Sequence, residues 1–397
     1  MVSRRDILRA AGAGLVASSV PGLALATANT DARFVLVILR GAADGLAVAP
    51  AYGDGNYTNV RGELALSANE LNKLDGLFGL HPALSCIHEQ YRKQQALLVH
   101  AVASPYRERS HFDGQDVLEN GAAGVGTLRD GWLNRALAPL GGSLGNEVAI
   151  AMAQNTPLVL RGGNSVTSWA PSALPDAEDS TIERLLDLYA GDEFFATRLV
   201  QALDAQAIAE GDAGMASMNA RGNEAQQMQT MASATARFLT ARDGPRIAVL
   251  EAGGWDTHAN QGTTSGALAN RFEGLDAGVR TLRKELGDTW SETVVAIVTE
   301  FGRTVAVNGT RGTDHGTASA AVLLGGAVAG GRVLADWPGL RQSDLYQGRD
   351  LQPTTDLRSV FKGILADHLE LPESWIETRV FPDSSAATPM RGLVNSA

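Results

Sequence analysis

Runs of uninterrupted apolar residues recur along this chain, and each ends in a short polar segment carrying glycine. The first, Arg33-Phe34-Val35-Leu36-Val37-Ile38-Leu39, stops at Arg40-Gly41-Ala42-Ala43-Asp44-Gly45. Ala96-Leu97-Leu98-Val99-His100-Ala101-Val102, Arg246-Ile247-Ala248-Val249-Leu250 and Thr293-Val294-Val295-Ala296-Ile297-Val298-Thr299 repeat the pattern, and a further apolar stretch runs from Ala318 to Leu324. Runs that do not alternate with polar residues predict strands buried on both faces of a parallel sheet. Helical spacing separates them. Leu80, Leu84, Ile87 and Tyr91, with Pro82 suited to a first turn, predict a helix over 80–91. Leu268, Phe272, Leu275, Val279, Leu282 and Leu286 form the clearest amphipathic stripe. Residues 193–242 are rich in Ala, Gln, Met and Glu, which predicts helices broken near Gly211 and Gly222, with Met215, Met218, Met228 and Met231 as packing residues.

Strands alternating with helices predict an α/β fold: a mostly parallel central sheet with helices on both faces. The expected organisation is a single domain over 30–385, a helical insertion at about 176–243, and a loosely ordered tail over 386–397. The sequence contains no internal repeat.

The front end has a different character. Met1-Val2-Ser3-Arg4-Arg5-Asp6-Ile7-Leu8-Arg9 leads into a weakly apolar, Gly/Ala-rich run ending at Ala24-Leu25-Ala26. A positive end, an apolar middle and a small-residue processing site describe an export signal over 1–26, cleaved after Ala26 or Ala28. The paired arginines point to the twin-arginine export machinery as a partner and to a periplasmic or otherwise extracytoplasmic destination. That route carries chains already folded, often around a metal or cofactor. The 44 acidic and 33 basic side chains of the 397 residues give a net charge of -11, and losing the signal takes it to about -13. So acidic a chain has no electrostatic footprint for nucleic acid or anionic lipid. No segment after the signal is apolar enough to span a membrane. Cys86 is the lone cysteine, which excludes an internal disulfide and a thiolate metal cluster.

Candidate chemistry falls just after the strands, where open α/β sheets place their ligands. Asp44 follows the first strand. Asp256 and His258 flank Thr257 and, two apart in extended backbone, point to one side. Glu300 follows the strand ending at Thr299 and is open to a cation or to Arg303; Asp314 and His315 share a glycine-flanked loop. These oxygen and imidazole donors suit Zn²⁺, Mn²⁺ or Mg²⁺. A fifth group is Ser104-Pro105-Tyr106-Arg107-Glu108-Arg109-Ser110-His111-Phe112-Asp113. Here Arg107 and Arg109 could clamp an anion, Ser104 or Ser110 could be an activated hydroxyl at a helix start, and His111 is a site candidate. His81, His88, His100 and His368 read as structural or solvent-facing. The sequence has neither GxGxxG nor GxxxxGK[ST], so neither familiar nucleotide loop is supported.

The segments Leu39-Arg40-Gly41-Ala42-Ala43-Asp44-Gly45-Leu46, Pro105 through Asp113, Gly254-Trp255-Asp256-Thr257-His258, Thr299-Glu300-Phe301-Gly302-Arg303-Thr304, Gly312-Thr313-Asp314-His315-Gly316 and Thr354-Thr355-Asp356-Leu357-Arg358 together resemble the DUF1501 family of exported proteins. That family is placed by fold with the alkaline phosphatase and sulfatase superfamily. The resemblance implies an alkaline phosphatase-like sheet with metal ligands on the loops after its strands and a hydroxyl nucleophile at a helix start. Asp44, Asp256, His258, Glu300, Asp314 and His315 would be the metal residues, and Ser110, Arg107, Arg109 and His111 the catalytic ones. No Cys-x-Pro-x-Arg sulfatase signature is present. The expected activity is metal-dependent hydrolysis of phosphate or sulfate esters with two cations. The alternative is a non-catalytic exported binding or assembly protein that retains the fold.

Overall fold

The computed structural model describes residues 31–141, 147–171, 179–210 and 223–395. The export signal, the expected helix breaks at Gly211 and Gly222, and Met215 and Met218 lie outside the described residues.

The apolar runs form the centre of one large sheet. Its strands are β1 (Arg33–Leu39), β4 (Ala96–Ala103), β5 (Ala149–Met152), β6 (Thr167–Ser168), β7 (Ile247–Ala252), β8 (Thr293–Thr299), β9 (Ser319–Leu324), β10 (Arg332–Leu334) and β11 (Thr355–Asp356), while β2 (Asn72–Lys73) and β3 (Gly79–Leu80) pair separately. The order is β10-β4-β9-β8-β1-β7-β5-β6, with β11 also on β4. Within this sheet all pairings are parallel except those of β9 with β4 and β8. The reason lies in the connection. Residues 300–318 contain no helix to carry the chain across the sheet, so β9 returns alongside β8 in the opposite direction.

Period-two geometry sends alternate side chains of β1 into two cores. Val35, Val37 and Leu39 pack on one face with Phe272, Leu275, Val279 and Leu282. Phe34, Leu36 and Ile38 pack on the other with Trp132, Phe361 and Phe381. The first core is covered by α5 (Glu224–Thr240) and α6 (Ala267–Leu286), the amphipathic helix read from the sequence. The expected helical insertion is present as α3 (Asp179–Tyr189) and α4 (Glu193–Glu210), leading to α5. Among the described residues no helix is long and apolar enough to cross a membrane.

Two expectations need correction. The helix read over 80–91 is α1 (Ser85–Arg92), because Leu80 is committed to pairing with Asn72. Its start is set from another element: the Asp276 carboxylate of α6 accepts from Cys86 N at 2.9 Å and Ile87 N at 3.0 Å. The tail is not loose through Asn395. Leu393 is fully buried, Val394 bridges Val328, and Asn395 N donates to the Ala327 carbonyl at 2.8 Å.

Candidate metal centre

Four loops meet at the carboxyl ends of β1, β7, β8 and β4. After β7 the chain turns through Gly253-Gly254 and presents Asp256 and His258; after β8 it loops to Asp314 and His315; after β4 it enters α2 (His111–Asn120), whose first residue is the imidazole His111. Close backbone approach holds the loops together. A Cβ at Gly41, where φ is +119°, would sit 2.6 Å from Asp256 N, and one at Gly312 would sit 2.4 Å from the His258 carbonyl carbon. Only glycine fits either position.

The convergence is tight. His258 Nε2 lies 2.9 Å from Asp256 Oδ1, and His315 Nε2 lies 3.2 Å from the same oxygen. The two imidazole nitrogens are 3.0 Å apart, and His111 Nε2 is 3.5 Å from Asp256 Oδ2. Ligand atoms about 2.0–2.1 Å from a tetrahedral ion stand about 3.3 Å from one another, so these spacings fit one cation. Ligating atoms of His111, Asp256 and His315 all fall within 4.8 Å of one another.

Each ring has its other nitrogen committed. His111 Nδ1 is 2.8 Å from Glu300 Oε1, His315 Nδ1 is 2.8 Å from the Arg109 carbonyl, and His258 Nδ1 is 3.3 Å from Asp314 Oδ1. These partners only accept, so each Nδ1 carries a proton and Nε2 is the atom each ring turns toward Asp256. Three Nε2 atoms and a carboxylate face one point. His111 Nε2 is buried with no hydrogen-bond partner among the described residues. A cation resolves that arrangement, and the acceptors behind the rings are those that orient metal-bound imidazoles.

The surrounding groups hold the carboxylates ionised, while the Glu300 bond raises His111 above the ordinary imidazole value. Burial works against ionising Asp256, but the buried Arg303 guanidinium bonded to it, with His258 and His315, holds its carboxyl below the ordinary value. Burial likewise opposes ionising Glu300, and the His111 bond together with the Gly41 and Thr299 donors overcomes it. The Asn308 amide leads the groups that lower Asp314. Burial pushes His315 down, toward its neutral form.

Of the residues expected to bind metal, the structure therefore brings Asp256, His258 and His315 to one point. Glu300 and Asp314 stand behind His111 and His258 and do not face the centre. Arg303 pairs with Asp256 and not with Glu300. Asp44 is placed elsewhere. Its buried carboxylate takes Arg61 and Gln261 as partners and accepts from Leu46 N, capping a one-turn helix. The proposed anion clamp is also redirected: Arg109 binds Asp350 at 2.7 Å and Gln347 at 2.7 Å, and Arg107 donates to the Ser104 and Tyr106 carbonyls. Ser110 is the N-cap residue of α2, but its hydroxyl makes no capping bond. Ser104 is buried, its hydroxyl 3.5 Å from the Glu300 carbonyl.

Sequence reasoning missed Gln261. Its side-chain oxygen accepts from Thr257 and Thr313, each at 2.8 Å, while its nitrogen donates to Asp44 at 2.8 Å. One buried amide thus ties the 256–258 loop to the 313–315 loop. Nothing in its local sequence marks it, since two of its three partners lie 52 and 217 positions away. The other histidines are structural. His81 bonds the Thr263 carbonyl, His88 that of Lys73 and His368 that of Arg33. Burial pushes the stacked His100 down to about 4.

Fold and site define an α/β protein in which His111, Asp256 and His315, with His258 beside Asp256, gather at the carboxyl ends of its sheet. The chain belongs to DUF1501, described as a protein of unknown function, whose profile matches residues 32–380. Comparison with curated proteins returns no match. Among solved structures, the phosphonate monoester hydrolase of Agrobacterium radiobacter is 12% identical over 86% of this chain and 74% of its own, with a TM-score of 0.35. The C-terminal periplasmic domain of EcEptC from Escherichia coli is 10% identical over 90% and 88%, with a TM-score of 0.37. Ps i-CgsB in complex with k-i-k-neocarrahexaose is 11% identical over 90% and 77%, with a TM-score of 0.40. Likeness at this level says nothing of this chain's substrate.

Proposed function

We propose that this chain is a metal-dependent hydrolase of phosphate or sulfate esters, working outside the cytoplasm after twin-arginine export. The observation that carries the metal reading is the convergence of three imidazole Nε2 atoms on Asp256, with every Nδ1 already bonded to an acceptor. His111, His258, His315 and Asp256 would hold the ion. Three imidazoles favour Zn²⁺ or Mn²⁺ over Mg²⁺, which prefers oxygen. A bound divalent ion supplies Lewis acidity toward an ester oxygen and makes water more acidic. Asp44, sealed by Arg61 and Gln261, offers no free carboxylate for a second ion.

The protein's own groups do the rest. Glu300, Asp314 and the Arg109 carbonyl fix ring orientation and tautomer. Arg303 keeps Asp256 ionised. Ser110 remains the candidate nucleophile: it directly precedes His111 at the N-cap of α2, and a helix N-terminus favours an anion. Water is the competing attacking group.

The test is elemental analysis of protein recovered from the exported fraction, combined with turnover of aryl phosphate and aryl sulfate esters by the wild type, Ser110→Ala and His315→Ala. One equivalent of zinc or manganese and turnover lost with His315→Ala are expected. Full activity in Ser110→Ala would assign attack to water. Metal-free, inactive protein would overturn the hydrolase and favour the non-catalytic binding or assembly protein; metal without turnover would favour that protein built round a structural cation.

A further inference from the structure

The segment 354–358, which the metal centre leaves unused, lies on the far edge of the same end of the sheet. Thr355 and Asp356 pair with Val102 and Ala103, and Thr354 N donates to the Ala101 carbonyl. The β11 segment therefore runs beside the end of β4, just before residues 104–107. Asp356 then caps α7 (Leu357–Asp367) by accepting from Arg358 N.

Three donors gather there without enough acceptors. Arg358 is 8% exposed; its Nε and Nη2 bind Asp356, while Nη1 is buried with no partner. The Thr354 hydroxyl is buried and equally unpartnered. Arg107, half-buried, has two main-chain carbonyls as partners and no carboxylate within 4 Å among the described residues. Burial pushes its guanidinium below the ordinary value, with Asp356 near enough to attract it and Arg358 to repel it. Asp356 pairs with Arg358 alone, so Arg107 has no carboxylate in contact among the described residues. Buried polar groups left unpaired are costly, and arginine forks match the geometry of oxyanions.

We propose that Arg107, Arg358 and Thr354 form a binding site for an oxyanion, a sulfate, phosphate or carboxylate group, separate from the metal centre. Residues 104–110 join it to His111, so a molecule spanning both would carry a second anionic group on the side away from its scissile ester. The site does not depend on the metal reading.

Calorimetric titration with sodium sulfate, using purified protein stripped of metal by a chelator, tests it. Saturable binding is expected, weakened at least about tenfold by Arg107→Gln and by Thr354→Val. Arg107→Gln is the primary variant, because Arg358→Gln also removes a partner of the α7 cap and could unfold the helix start. Methyl phosphate and acetate form the second arm. Methyl phosphate binding as tightly as sulfate would identify a group carried on a larger molecule, and sulfate alone would identify a free inorganic anion; either supports the site. Sulfate binding that vanishes on chelation but survives Arg107→Gln would place the anion at the metal and overturn the proposal. Absence of saturable binding in the stripped wild type would do the same. A selenate soak located by its anomalous signal between Arg107 and Arg358 would give the position directly.

Discussion

At the scale of single residues, the site depends on which nitrogen of each histidine holds its proton. Glu300 is the clearest case, since it accepts from His111 Nδ1 at 2.8 Å and is itself fully buried. Glu300→Gln should lower metal affinity by about 10–100-fold while leaving the four ligands in place, a range typical of partners behind metal ligands. Competition against a chromogenic chelator measures it, and unchanged affinity would remove Glu300 from the site. His100 makes a separate claim about acid stability. Buried against Phe78 and bonded to the Ala49 carbonyl, it stays neutral in the folded chain down to about 4. The unfolded chain protonates it near 6.5, so the unfolded state binds the extra proton between those values. Stability is therefore full above about pH 6.5 and falls by about 3 kcal/mol as pH drops to about 4. His100→Gln should flatten that part of the urea-unfolding profile after allowance for its overall cost. An equally steep acid slope in the variant would contradict the assignment.

At the scale of elements, two loops of the β7 and β8 ends are held in register by Gln261. Gln261→Leu strands two threonine hydroxyls in the interior and leaves Asp44 to Arg61, so it should cost about 2–4 kcal/mol and weaken metal binding together. Denaturant unfolding with and without metal separates the effects: a variant destabilised in both states by the same amount would show that Gln261 supports the fold without tuning the site. The strands and α6 were legible in the sequence because each buries its side chains with a simple period. Asp256 and His258 were legible because two residues apart in extended backbone face one way. The start of α1 was not, because Leu80 follows β pairing and the helix cap comes from Asp276 in another element. Asp44 misled for the same reason: its partners Arg61 and Gln261 lie in distant segments, and an Asp beside Gly reads the same whether it binds a cation or a buried arginine.

At the scale of the molecule, the sheet gathers loops from widely separated stretches, and the chain closes over its lower edge with its own end. Leu393 is fully buried and residues 393–395 bond to 327–329. Leu393→Ala should cost about 2–5 kcal/mol, as large-to-small changes in packed interiors do; a thermal midpoint equal to wild type would restore the reading of a loose tail. The alternation of strands and helices carried the α/β class into the sequence reading, whereas the single reversed strand β9 was hidden, because an apolar run has no direction. The metal centre is the claim on which most depends. X-ray absorption at the zinc or manganese edge, on protein isolated from the exported fraction, tests it most directly. The account predicts a first shell of three imidazole nitrogens and one carboxylate oxygen at about 2.0–2.2 Å, reduced by one imidazole in His315→Ala. A shell without imidazole, or one unchanged in that variant, would contradict it.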